Sequence, residues 1–166
     1  FVSPGNYDHA ESQLVFMSDR RKPLYVSLTS KIGGFYGGDR NALETKVNYR
    51  VGDAFTAALT WSHNDIGLTS FAGDGLTPAS VGDFKVNVAR LRMSYSFTPK
   101  ILLQALVQYD DRSDLIATNL RFSWLQAANA GLFLVYNEVD DDSIVGAMNK
   151  RREVAIKYSR ILDVLQ

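Results

Sequence analysis

The feature that most constrains this chain is a repeated period of two in its apolar residues. In "DLIATNLRFSWL" (114–125), Ile116, Thr118, Leu120, Phe122 and Trp124 alternate with Ala117, Asn119, Arg121 and Ser123. A strand sends these two sets to opposite faces, whereas a helix would scatter them. "ALETKVNYRV" (42–51) repeats the pattern, with Leu43, Thr45, Val47, Tyr49 and Val51 opposing Glu44, Lys46, Asn48 and Arg50. "AFTAALTWS" (54–62) and "REVAIKYSR" (152–160) do the same. "ILLQALVQYD" (101–110) also fits a helix face through Ile101, Leu102, Ala105, Leu106 and Tyr109, but its neighbours decide for a strand.

Alternating runs predict about nine strands, near 12–18, 24–36, 42–51, 54–63, 84–97, 101–110, 115–125, 131–139 and 151–161. Between most of them lie short Gly, Pro, Asn and Asp clusters that reverse a chain, among them "RRKP", "GGDRN", "VGD", "TPK", "DRSD" and "AANAG". Two connections are long, 63–83 and 140–150. In "DFKVNVARLRMSYSF" the apolar phase slips near Ala89, which predicts a bulge or a strand projecting beyond its packed region. No helix of three turns is needed, so the fold class is an all-β antiparallel meander over 1–166, a single domain or the C-terminal segment of a larger one.

Eighteen basic and eighteen acidic side chains cancel, so no global field recruits nucleic acid. There is no cysteine, and no run approaches 18 consecutive apolar residues, so disulfides and a transmembrane helix are both excluded. The start, "FVSPGNYDHA", has neither an initiator Met nor signal-peptide features and leads us to expect a mature or excised segment.

A one-sided meander suits two environments. A soluble barrel or sandwich turns its apolar face inward, where a small apolar ligand could bind. An up-and-down transmembrane β-barrel turns it to lipid and keeps polar side chains inside. The polar face carries Lys31, Glu44, Lys46, Asn48, Arg50, Arg90, Arg92, Gln104, Asn119, Arg121, Glu153 and Lys157. Numbered backward from the C-terminus, the long connections are the first and the fifth, so both lie at one end, and the other end has short turns. Outer-membrane barrels share this asymmetry. With the long connections outside, Trp61, Tyr109 and Tyr136 fall at the outer rim. Tyr49, Tyr95, Phe97, Trp124 and Tyr158 fall at the periplasmic rim. These are the positions of two membrane-interface girdles.

"LRMSYSFTPKILLQALVQYDDRSDLIATNLRFSW" (91–124) and "GLFLVYNEVDD" (131–141) resemble the C-terminal barrel of large bacterial outer-membrane proteins that carry an N-terminal module like family-9 carbohydrate-binding modules. "PGNYDH", "SDRRKPLYVSL", "GGFYGGDRNAL" and "EVAIKYSRILD" extend the resemblance from about residue 4 to the C-terminus. It implies an outer-membrane location in a Gram-negative bacterium and no particular reaction. The chain departs from that pattern in lacking the upstream module and earlier strands. It also ends "LDVLQ" where outer-membrane strands often end on an aromatic residue. Nine antiparallel strands cannot close with an antiparallel seam, so either the strand count is off by one or, as we expect, an upstream segment or another chain completes the wall.

Catalytic chemistry is thin. His9 and His63 sit beside turn-like residues, and no GxSxG elbow occurs. "DDDS" (140–143) is a calcium candidate with poor spacing, and "GDG" (73–75) reads as a turn. Lys150, Arg151 and Arg152 would lie where anionic outer-membrane glycolipid is found. The expected function is a porin-like, polar-lined passage for transport, or a membrane platform for a partner or fused domain. Neither an enzymatic activity nor a cofactor or metal is expected. The expected partners are the lipid bilayer and that glycolipid.

Overall fold

The computed structural model describes residues 9–36, 38–71, 78–127, 130–141 and 150–160. They form nine strands: β1 (Glu11–Met17), β2 (Leu24–Phe35), β3 (Gly38–Val51), β4 (Phe55–Phe71), β5 (Pro78–Thr98), β6 (Ile101–Asp110), β7 (Leu115–Ala127), β8 (Ala130–Asp141) and β9 (Lys150–Arg160). Every neighbouring pair is antiparallel, and the strands stand in chain order in one sheet, with β1 and β9 at its edges.

Local chemistry fixes the reversals. Asp19 and Asp110 accept the amides of Arg21 and Arg112 two residues on, at 2.9 and 3.0 Å, and Thr98 accepts that of Lys100 at 3.2 Å. These side chains imitate a backbone turn and hold the chain in its reversal. Gly52, in the β3–β4 turn, has φ +52°, a region where only glycine carries no steric cost. At the other end β3 and β4 approach so closely that a Cβ on Gly38 would lie 1.8 Å from the Gly67 carbonyl oxygen.

The register confirms the alternation and corrects its reach. The 63–83 connection is mostly paired strand. β4 runs to Phe71 and β5 starts at Pro78, in register except for a shift beside Leu68 and Thr69. β3 accompanies β4 only to Gly67, and β6 accompanies β5 only to Val88. The β4–β5 hairpin therefore projects beyond its neighbours. No bulge occurs at Ala89, which pairs regularly with Trp61; the apparent slip marks the base of the projection. A further irregularity lies at Ser96–Thr98. Residues 1–8, the "GDG" at 73–75, 142–149 (with two of the four residues of "DDDS") and 161–166 lie outside the described residues.

The sheet has no interior of its own. Among the described residues Ala42 is the one buried hydrophobic residue, and no large side chain is fully buried. Leu14 remains 74 % exposed and Ile156 70 % exposed, on the two edge strands. A face this apolar is stable only when something other than water covers it.

Candidate functional site

Cross-strand pairing assigns every side chain to a face. The nine charged residues expected on the polar face all lie on it, because Lys31, Glu44, Lys46, Arg50, Arg90, Arg92, Arg121, Glu153 and Lys157 keep one parity through the successive registers. They do not form one cluster. Lys31 pairs with Gln13 and Ala42 near one edge, and Lys157 opposes Phe133 at the other. Glu44 is ion-paired with Lys46.

The centre is different. One row reads Arg50, Thr56, Ser94, Gln104, Arg121, and the next reads Asn48, Ala58, Arg92, Leu106, Asn119, Asn137, Glu153. Arg92 and Arg121 line the same groove of about 230 Å³ with Gln104, Leu106 and Asn119. Neither arginine has an ion-pair partner among the described residues. Asn119 donates from Nδ2 to Asn137 Oδ1. A neighbouring groove of about 300 Å³ continues along Gln108, Asn137, Arg151 and Glu153.

Sequence reading missed Arg40, hidden in the turn-like "GGDRN". It belongs to β3 on the polar face, where Nη2 donates to Asn64 Oδ1 at 3.3 Å and Nη1 lies 3.9 Å from Glu11. Its guanidinium also sits 5.5 Å from the Phe35 ring centroid. Its even spacing from Glu44 and Lys46 was the available signal.

On the apolar face the aromatics follow two oblique lines. One register row passes through Tyr49, Ala57, Met93, Ala105, Leu120, Tyr136 and Val154. Relative to it, Tyr49 lies on the row in β3, Tyr95 two residues below it in β5, and Trp124 four below in β7; Tyr158 of β9 is also four below. On the upper line Trp61 of β4 and Tyr109 of β6 are four residues above the row, and Tyr136 of β8 is on it. From β3 to β7 the lower line, and from β4 to β8 the upper one, fall four residues over four strands; the lower line runs level from Trp124 to Tyr158 and the upper one from Trp61 to Tyr109. With a rise of about 3.4 Å per residue and a spacing of about 4.8 Å, that slope is about 35°, the lower end of the strand tilt in membrane barrels.

Ile101–Tyr109 and Ile116–Trp124 each cover nine residues between the lines. That is about 27 Å along the strand and about 22 Å along an axis tilted by 35°, near the ~25 Å apolar band of outer-membrane barrels.

The chemistry changes at both lines. Below, the rings of Tyr49, Phe55, Tyr95 and Phe97 follow one another at centroid distances of 6.4, 6.2 and 4.6 Å. Above, each aromatic meets a polar partner two residues further on. Trp61 stacks on His63 at 6.0 Å, the Tyr109 hydroxyl donates to Asp111 Oδ1 at 3.2 Å, and the Tyr136 hydroxyl donates to Glu138. His63 is therefore part of β4, not the start of a loop. Its Nδ1 donates to Asn87 Oδ1 at 2.7 Å, since an amide oxygen only accepts, and Asn87 Nδ2 donates to Asp111 Oδ2 at 2.8 Å.

Of the basic run expected to meet glycolipid, Lys150 and Arg152 already engage carboxylates. Lys150 lies 2.8 Å from Glu138 and 2.9 Å from Asp140, and Arg152 lies 3.4 Å from Glu138. Arg151 projects from the opposite, polar face.

No family model, curated protein or solved structure matches this chain.

Proposed function

We propose that this chain forms part of the wall of a bacterial outer-membrane β-barrel, with its apolar face toward lipid and its polar face toward water. Its role on this reading is a porin-like passage for polar solutes, or a membrane platform for a partner or fused domain, and not catalysis. The supporting observation is the pair of aromatic lines. From β3 to β7 and between β4 and β8 they cross the register at the slope that level boundaries require on tilted strands, and polar side chains follow directly above the upper one. Edge strands β1 and β9 would be covered by an upstream segment of the protein or by another chain, because open edges in lipid leave backbone groups unsatisfied.

The alternative, a soluble β-barrel holding a small apolar ligand, would turn Trp61 and Trp124 inward. The grooves just described line the polar face, which favours the first reading.

The two tryptophans give a direct test, because the chain has only two and they lie on opposite lines. The protein is expected to sediment with outer membranes and to need detergent for release. In vesicles, Trp61→Phe and Trp124→Phe each leave one reporter. Lipids brominated near the headgroup should quench either reporter more than lipids brominated near the chain end. Release without detergent, with neither tryptophan quenched by lipid, refutes the membrane reading and supports the soluble one.

A further inference from the structure

We infer that Arg92 and Arg121, with Gln104 and Asn119, form a selectivity site for small hydroxylated carboxylates, the sugar acids as a chemical class. The inference rests on the proposed aqueous polar face and deepens it.

Three features of the groove argue for it. First, the positive charge is uncompensated locally. Arginine stays protonated at every physiological pH, and neither guanidinium has a carboxylate partner among the described residues. Of the acids on this face, Glu44 is held by Lys46, Glu11 lies 3.9 Å from Arg40, and Asp110 and Asp141 stand four residues above the Arg92 row. Glu153 stands four strands from Arg92, about 19 Å at ordinary strand spacing, and two strands and two residues from Arg121, about 12 Å, both beyond the Debye length of about 8 Å in physiological salt.

Second, the arginines stand two strands apart and two residues out of row, so their forks approach a bound anion from different directions. A planar carboxylate accepts two parallel hydrogen bonds from one such fork. Third, the ground between them is neutral and polar. Asn119 uses one amide hydrogen on Asn137, which leaves its oxygen and second hydrogen, and Gln104 offers a full amide. Amides of this kind exchange hydrogen bonds with hydroxyl groups. A groove of about 230 Å³ suits a solute of monosaccharide size rather than an extended chain.

The test uses protein purified from outer membranes and inserted in planar bilayers, with sodium glucuronate as the probe. Wild type should prefer chloride to potassium, and glucuronate should block the chloride current where neutral glucose does not. The Arg92→Gln/Arg121→Gln variant should still insert and open, lose the anion preference and be blocked about tenfold less well, the scale of one charge-assisted hydrogen bond. Lys100→Gln/Arg112→Gln removes the same charge from two turns and should leave the block unchanged. Equal block by glucose, an unchanged block in the arginine variant, or equal losses in both variants overturns the site while leaving the passage standing.

Calorimetric binding of glucuronate in detergent separates the remaining cases. If wild type conducts nothing yet binds glucuronate through the two arginines, the passage fails and the site stands. Absence of binding overturns the site.

Discussion

The β4–β5 hairpin and the sheet beneath it are built from the same two strands, yet they carry apolar side chains on opposite faces. In the lower part, Phe55, Ala57, Leu59 and Trp61 share the apolar face with Ala89, Leu91, Met93 and Tyr95. In the upper part of the hairpin the same face carries His63, Asp65, Asp83, Lys85 and Asn87, with Lys85 ion-paired to Asp65 at 3.1 Å. Ile66, Phe84, Val86 and Val88 now stand on the other face. No residue is inserted where the exchange happens. Alternation dictates only that the two faces differ; the surroundings at each level decide which is apolar. A reversal without a bulge is the mark of a strand that passes from one surrounding to another.

A charge placed on the apolar face should break this comparison most sharply. Leu59→Arg, midway between the aromatic lines, should cost about 2–4 kcal/mol in equilibrium refolding into vesicles, the expense of a cation at the bilayer midplane. Asn87→Arg, on the same face in the projection, should cost about 1 kcal/mol, the loss of its hydrogen bonds with little added for the charge, as near an interface. Equal costs would remove the reason for treating the two levels as different solvents.

A middle-sized effect tests the base of the projection. Gly38→Ala places a methyl group against the Gly67 carbonyl and should destabilise the protein by about 1–3 kcal/mol, the usual range for forced overpacking. Gly52→Ala meets no atom within 4 Å and carries only the backbone cost of a positive φ, about 1 kcal/mol. Urea midpoints for the two variants should fall in that order.

The smallest effect sharpens the boundary itself. Asn87→Ala interrupts the chain from His63 to Asp111 and should cost about 1 kcal/mol, one net hydrogen bond. The nitrogen-15 shifts of His63 should report Nδ1 protonation in wild type and a mixture of tautomers in the variant. An unchanged spectrum would mean that Asn87 does not hold the ring.

These comparisons also separate what could be read from the chain from what could not. Faces were legible, because "ALETKVNYRV" and "LIATNLRFSWL" each divide into two sets whichever strands flank them. The projection was not. "HNDIGLTSF" (63–71) mixes Gly, Asn, Asp and Ser as a turn does, and its pairing comes from the partner strand rather than from local preference. The reversal of phase at its base then imitated a bulge. For the candidate site, the face of each arginine followed from parity. That Arg92 and Arg121 border one groove did not, because the register between them is set jointly by the turns at 99–100 and 111–114. Arg40 was lost for a simpler reason: a glycine pair before it looked like the end of a strand.

The two edges of the sheet carry one more consequence. In a nine-strand meander the first and last strands run in the same direction, so β1 and β9 both descend from the end that bears the projection. A second copy inserted in the same sense brings strands that descend as well. Whether it met β1 or β9, the new pair would be parallel in an otherwise antiparallel wall. Self-assembly through the edges is thus discouraged by direction alone, without any clash or repelling charge. A strand that continues the antiparallel pattern must ascend where it meets either edge, so direction alone selects which strands can pair with β1 or β9.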